Sequence, residues 1–240
     1  MHPARDAGER INTLLRNHAE KDILLLLSGG SAFAILGHLD TTLFTEKVTV
    51  SVVDERYTSE ASAQNTTTLL ATPFGAALQN SGAHLLDPRQ RTGETLEACG
   101  IRFDLALKEW HITHHDGIVL ATLGIGADGH TSGVLPVPEK PAAFSALFEK
   151  KGFCARGYEY LTTENEHKKR ITTTLYYLQT HIHHAVVYAT GEAKKQALCA
   201  ALYTTPLPAF STTPAAVFRS MNNVEVYTEV PIDPAACSPS

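Results

Sequence analysis

Cysteine is scarce: four in 240 residues, at Cys99, Cys154, Cys199 and Cys237, none close enough in sequence for a zinc grip or a redox pair. The four read as buried or incidental thiols, and a chain this long does not need disulfides to hold a small core together. Long apolar runs are also missing. The longest near the start, Ile23 to Leu27, falls far short of the roughly 20 residues that span a bilayer, and Met1 to Asp6 lacks the apolar core of a signal segment. A cytoplasmic location with no membrane partner is therefore the expectation. Positive charge is in deficit as well, with 20 Lys and Arg against 25 Asp and Glu and a formal net charge of −5. The densest basic cluster is only His167-Lys168-Lys169-Arg170, so no nucleic-acid partner is expected. No internal repeat, low-complexity tract or interdomain linker interrupts the chain, and residues 1–240 read as one domain.

What is present is an alternation of helical and strand-like segments with 43% hydrophobic residues. Ile11, Leu14, Leu15 and His18 recur at helical spacing over about Ala7 to Glu20. The continuous apolar run Ile23 to Leu27 and the apolar runs Val48 to Val53 and Gly117 to Leu123 read as buried parallel strands, each ending in a polar or glycine-rich loop. Helices are expected over Ala32 to Leu39, Ser62 to Leu70, Glu94 to Trp110 and Glu192 to Tyr203, with a short one after Pro214. Strands are expected over Arg170 to Tyr177, His183 to Ala189 and Val224 to Tyr227, and Pro136 to Pro141 reads as a loop. In such an α/β sheet ligands bind beyond the carboxyl ends of the strands, where these polar loops converge.

Two of the loops carry recognisable chemistry. Ser28-Gly29-Gly30-Ser31 joins a strand to a helix, so its amides and the Ser31 hydroxyl suit an anion; it is no Walker A loop, since no Gly-Lys-Ser or Gly-Lys-Thr follows. Gly124-Ile125-Gly126-Ala127-Asp128-Gly129-His130 contains a formal dinucleotide-binding glycine pattern, but Pro136, Pro138 and Pro141 break the long helix that pattern should open. The glycines instead clear space around Asp128 and His130, an acid and an imidazole that suit proton transfer near neutral pH. Asp54-Glu55-Arg56 places three charges at the end of a buried run, and Arg170 and Lys194 are further cations available to a phosphate. His111 and His115 have the i,i+4 spacing of a metal pair, and His181, His183 and His184 crowd a strand entrance, but no carboxylate or cysteine stands at matching spacing. No serine lies in a GxSxG elbow.

Taken in order, "LLLLSGGSAFAIL", "VTVSVVDERYT", "LATLGIGADGHTSGVLP", "KRITTTLYYL" and "ATGEAKKQAL" resemble the 6-phosphogluconolactonase family, within the group that includes glucosamine-6-phosphate deaminase. The resemblance covers nearly the whole chain. It implies an α/β fold, a Rossmann-like mostly parallel sheet flanked by helices, and hydrolysis of a six-carbon sugar-phosphate lactone, with no metal or organic cofactor. It implies that Gly29, Gly30, Ser31, Arg170 and Lys194 hold the phosphate and that Asp54 and Arg56 border the sugar. His130 would activate water, Asp128 would orient it, and amides of the Gly124 to Gly129 loop would stabilise the oxyanion. The chain departs from the family in Ala32-Phe33, where Thr-Pro is usual, and in the residues after His130-Thr131. Two alternatives remain: the related deaminase and isomerase branch, whose glutamate five residues beyond the histidine is here Leu135, and a sensor that binds a sugar phosphate without turnover.

Overall fold

The computed structural model describes residues 2–160 and 167–237. Helix α1 (Pro3–Asn17) starts with proline at its first turn, where no amide is missed, and carries Asp6 and Arg16 at the ends that suit their charges. Strands β1 (Ile23–Leu27), β2 (Val48–Val52), β4 (His84–Leu85), β5 (Ile118–Gly124), β8 (His184–Tyr188) and β9 (Val224–Tyr227) form one six-stranded sheet. Its order is β4-β2-β1-β5-β8-β9, parallel throughout. Both faces are covered, which is why β1 is apolar at every position: Leu24 and Leu26 enter one core and Ile23, Leu25 and Leu27 the other. Burying each such leucine contributes about 1.5–3 kcal/mol.

One core lies under α1, the 3-10 stretch Gly30–His38, α2 (Asn65–Leu70) and α3 (Pro73–Gln79). The other lies under α4 (Leu96–Thr113), α5 (Pro141–Phe148), α6 (Leu175–His181) and α7 (Lys195–Leu202). A second sheet, antiparallel and three-stranded, joins β3 (Asp54–Arg56), β7 (Lys169–Thr173) and β6 (Ala155–Glu159) in the order β3-β7-β6. The chain crosses into it immediately after β2, with Val53 donating to Leu27 of the first sheet and accepting from Thr173 of the second.

Several expected elements differ. The segment after Ser31 is a 3-10 helix rather than an α-helix. The expected strand Arg170 to Tyr177 stops at Thr173, because the Thr174 hydroxyl accepts the Tyr177 amide at 3.1 Å and caps α6. The helix expected from Ser62 begins at Asn65, and α3 and α5 lie in segments not assigned to helix from sequence. Two of the four cysteines are not thiols: Cys199 and Cys237 form a disulfide, while Cys99 and Cys154 are free and buried. No helix among the described residues is long and apolar enough to cross a membrane.

Candidate active site

Strands β1 and β5 lie side by side, and the strands that follow them in the sheet lie on opposite sides, β2 beyond β1 and β8 beyond β5. Their carboxyl ends therefore frame the crevice where the sheet's winding reverses, the place such sheets bind ligands. The loops after these two strands are Ser28 to Ser31 and Gly124 to His130. The Ser28 amide donates to Thr122 Oγ1 of β5 at 2.9 Å, which ties the first loop to the second strand.

At the end of β1, Gly30 takes a left-handed φ of 61°, a conformation that side chains disfavour. The turn delivers Ser31, whose Oγ accepts from Lys194 Nζ at 3.4 Å. Lys194 closes the short turn Glu192–Lys194 before α7. Burial lowers its pKa, and Glu229, which accepts the Gly191 amide, opposes that shift.

At the end of β2, the second sheet sets Arg56 directly opposite Arg170. Like charges in that position repel unless an anion lies between or beside them. Arg170 Nη1 meets Asp54 Oδ2 at 3.1 Å, with both side chains nearly buried. Arg56 Nη1 goes to neutral acceptors, Ala63 O at 3.0 Å and Asn65 Oδ1 at 2.5 Å. The Nε atoms of Arg56 and Arg170 are both buried and have no hydrogen-bond partner among the described residues. These two unpartnered N–H donors suit a further acceptor such as an anion.

Beyond β5 the loop closes on itself: Gly126 donates to His130 O at 2.9 Å and Gly129 to Gly126 O at 3.0 Å. These two amides are consumed within the loop, so Gly126 and Gly129 are not free to serve among the oxyanion donors expected of it. The turn presents Asp128 and His130 together. Asp128 Oδ1 accepts the His130 backbone amide at 3.1 Å and stands 2.6 Å from its Nδ1. Burial raises the Asp128 pKa, but the hydrogen bond and charge of His130 outweigh it and the carboxyl is held below its usual value. An ionised carboxylate only accepts, so Nδ1 carries a proton, which puts the lone pair of the neutral imidazole on Nε2. Downstream, Gly133 donates to Thr172 Oγ1 at 3.0 Å and packs against Asp54 Cβ, while Tyr158 donates to Gly133 O and Tyr160 accepts from the Leu135 amide. The loop that bears His130 is thus clamped over β7, beside the Asp54–Arg170 pair.

All nine candidate residues named from sequence lie on these converging loops and strand ends. The structure brings Ser31 to Lys194, Asp54 to Arg170 and Asp128 to His130; it divides the two cations expected at a phosphate, Lys194 meeting Ser31 and Arg170 meeting Asp54. Sequence reading missed Asn65, which is buried between Arg56 and Asp54. The histidines do not assemble a metal site: His111 bonds Tyr177, His115 pairs with Asp116, and no group of three His, Cys, Asp or Glu among the described residues is placed to hold an ion. A cleft of about 950 Å³ lies against the loop, lined by Asp128, Gly129, Lys195, Thr213, Ile232 and Cys237 among others.

A model of the family described as glucosamine-6-phosphate isomerases/6-phosphogluconolactonase matches residues 2–227. The chain belongs to this family. Solved structures share its fold at low identity. The 6-phosphogluconolactonase from Shewanella baltica is 18% identical with a TM-score of 0.70, over 94% of this chain and 92% of that one. That from Trypanosoma brucei is 17% identical with a TM-score of 0.67, over 94% and 92%. That from Plasmodium vivax is 15% identical with a TM-score of 0.72, over 97% and 89%. No curated protein matches the chain in sequence.

Proposed function

We propose that the chain hydrolyses 6-phosphoglucono-1,5-lactone to 6-phosphogluconate, with His130 as general base. The observation that carries the proposal is the 2.6 Å Asp128–His130 pair, which leaves Nε2 as a base within a family that acts on six-carbon sugar phosphates. His130 Nε2 takes a proton from water as the water oxygen bonds to the lactone carbonyl carbon. The tetrahedral oxyanion then collapses, the bond from carbon to the ring oxygen breaks, and the imidazolium returns its proton to that oxygen. Asp128 steadies the imidazolium between the two steps. Gly29, Gly30, Ser31 and Lys194 take the phosphate, Arg170 adds positive charge at the sugar side, and Asp54 and Arg56 border the hydroxyls. A charged sugar phosphate does not cross a bilayer unaided, so the proposed substrate goes with a cytoplasmic enzyme.

The deaminase and isomerase reading meets an obstacle at Leu135. This residue stands where that branch carries a glutamate, and it is buried in the apolar core with its amide on Tyr160, so no carboxylate reaches the histidine from there. The direct test is turnover of freshly generated lactone beside glucosamine 6-phosphate, each with EDTA present and against a buffer blank. Rapid lactone loss alone supports the proposal. Turnover of the amino sugar alone assigns the deaminase, and binding without turnover of either assigns the sensor.

A further inference from the structure

One buried amide touches three parts of the site. Asn65, 2% exposed at the first position of α2, accepts from Arg56 through Oδ1 at 2.5 Å. Its Nδ2 donates to Asp54 O at 2.9 Å and lies 3.5 Å from Asp54 Oδ1. The same side chain fills the space beside Gly29: a Cβ there would fall closer than 3.0 Å to Oδ1, Cγ and Nδ2. Gly29 has an extended backbone, φ −80° and ψ −168°, so its lack of a side chain answers to Asn65 rather than to conformation.

The carboxylate of Glu55 holds Asn65 in place from below. Fully buried, it accepts the amides of Asn65 at 2.6 Å and Arg56 at 2.8 Å through Oε1, and that of Thr66 at 2.7 Å through Oε2. Glu55 therefore fixes the backbone of both Arg56 and Asn65, and Asn65 fixes the Arg56 guanidinium, the Asp54 carbonyl and the floor of the glycine turn. Asp54 in turn holds Arg170. No corresponding contact runs from Asn65 to Asp128 or His130 among the described residues, whose loop is braced separately by Thr172 and Tyr160.

We propose that Asn65 is a positioning residue for substrate binding, which sets the spacing between the glycine turn that takes the phosphate and the Asp54–Arg56 pair that borders the sugar. The inference rests on the sugar-phosphate reading of the site. Its signature is a loss in KM rather than kcat, because the interactions it organises are made in the ground state as well as the transition state. Loss of one or two charge-assisted contacts corresponds to about a 10- to 100-fold rise in KM, with kcat kept within about threefold.

Three variants test it in the full chain, with thermal melting to verify folding. Asn65→Ala is expected to raise KM and to weaken 6-phosphogluconate in calorimetry by the same factor. Gly29→Ala is expected to do likewise by pushing the Asn65 amide aside. The double variant removes the atoms that the new methyl strikes, so it should bind no worse than Asn65→Ala alone; additive losses overturn the proposal. A fall in kcat at unchanged KM contradicts a positioning role. If wild type fails to turn over the lactone, the lactonase reading falls, and the calorimetric arm with 6-phosphogluconate and inorganic phosphate still decides the role of Asn65.

Discussion

Replacing Gly126 by alanine separates the role of the Asp128–His130 pair from the identity of its members. A Cβ at this position would lie closer than 3.0 Å to both His130 Nδ1 and Asp128 Oδ1, a separation that real Cβ atoms do not adopt. The 2.6 Å hydrogen bond lies against that spot, so the imidazole and carboxylate must part or swing by about 1 Å, a misplacement that can cost 10²-fold in rate. Folding should suffer little, because the two side chains are 38% and 47% exposed and can move into solvent. Gly124→Ala is the matched control: its methyl would meet Ser28 Oγ at 3.5 Å, ordinary contact. Initial rates of lactone loss should fall about 100-fold in Gly126→Ala and less than about threefold in Gly124→Ala, with both melting near wild type. Equal activities in the two variants would refute the claim that this hydrogen bond orients the base.

Lys194→Ala should weaken 6-phosphogluconate by about 10- to 100-fold, the worth of one charged hydrogen bond, and leave unphosphorylated gluconate unchanged in calorimetry. His111 lies against Tyr177, His181 and Trp110, and burial, reinforced by His181 and His183, pushes its pKa down to about 4. The unfolded chain then binds the proton more readily, so stability falls as pH drops from about 6.5 to about 4. The full shift would be worth roughly 3 kcal/mol, and screening of this partly exposed ring reduces it to about 1–2 kcal/mol. Urea melts of His111→Phe should show a correspondingly shallower acid dependence than wild type. The Cys199–Cys237 disulfide closes a 38-residue separation, for which chain entropy predicts up to about 4 kcal/mol, so Cys199→Ser should melt lower and lose its sensitivity to reductant.

The main sheet was legible because β1, β2 and β5 are buried on both faces and so read as largely apolar runs ending in polar loops. The second sheet was not: Asp54-Glu55-Arg56 has the composition of a loop, and it is a strand only because β7 arrives from more than 100 residues away to pair with it. Thr172, Thr173 and Thr174 look alike in sequence, yet the first two extend β7 and the third caps α6, a difference set by the Thr174 hydroxyl accepting the Tyr177 amide. Asp128 and His130 were legible as a pair because two residues of separation around a glycine bring them together locally. Asn65 carried no such signal, since its role exists only where residues 29, 54 and 56 meet in space. The disulfide was equally silent, because sequence spacing alone does not assign a pairing.

The central claim is that His130 is the base of a metal-independent lactonase, and the most direct test is the initial rate of 6-phosphoglucono-1,5-lactone hydrolysis for wild type and His130→Ala, with EDTA present and the buffer rate subtracted. The account predicts rapid loss in wild type and a rate lower by about 10²–10⁴ in the variant, with 6-phosphogluconate still bound. An equal rate in the folded variant would contradict it.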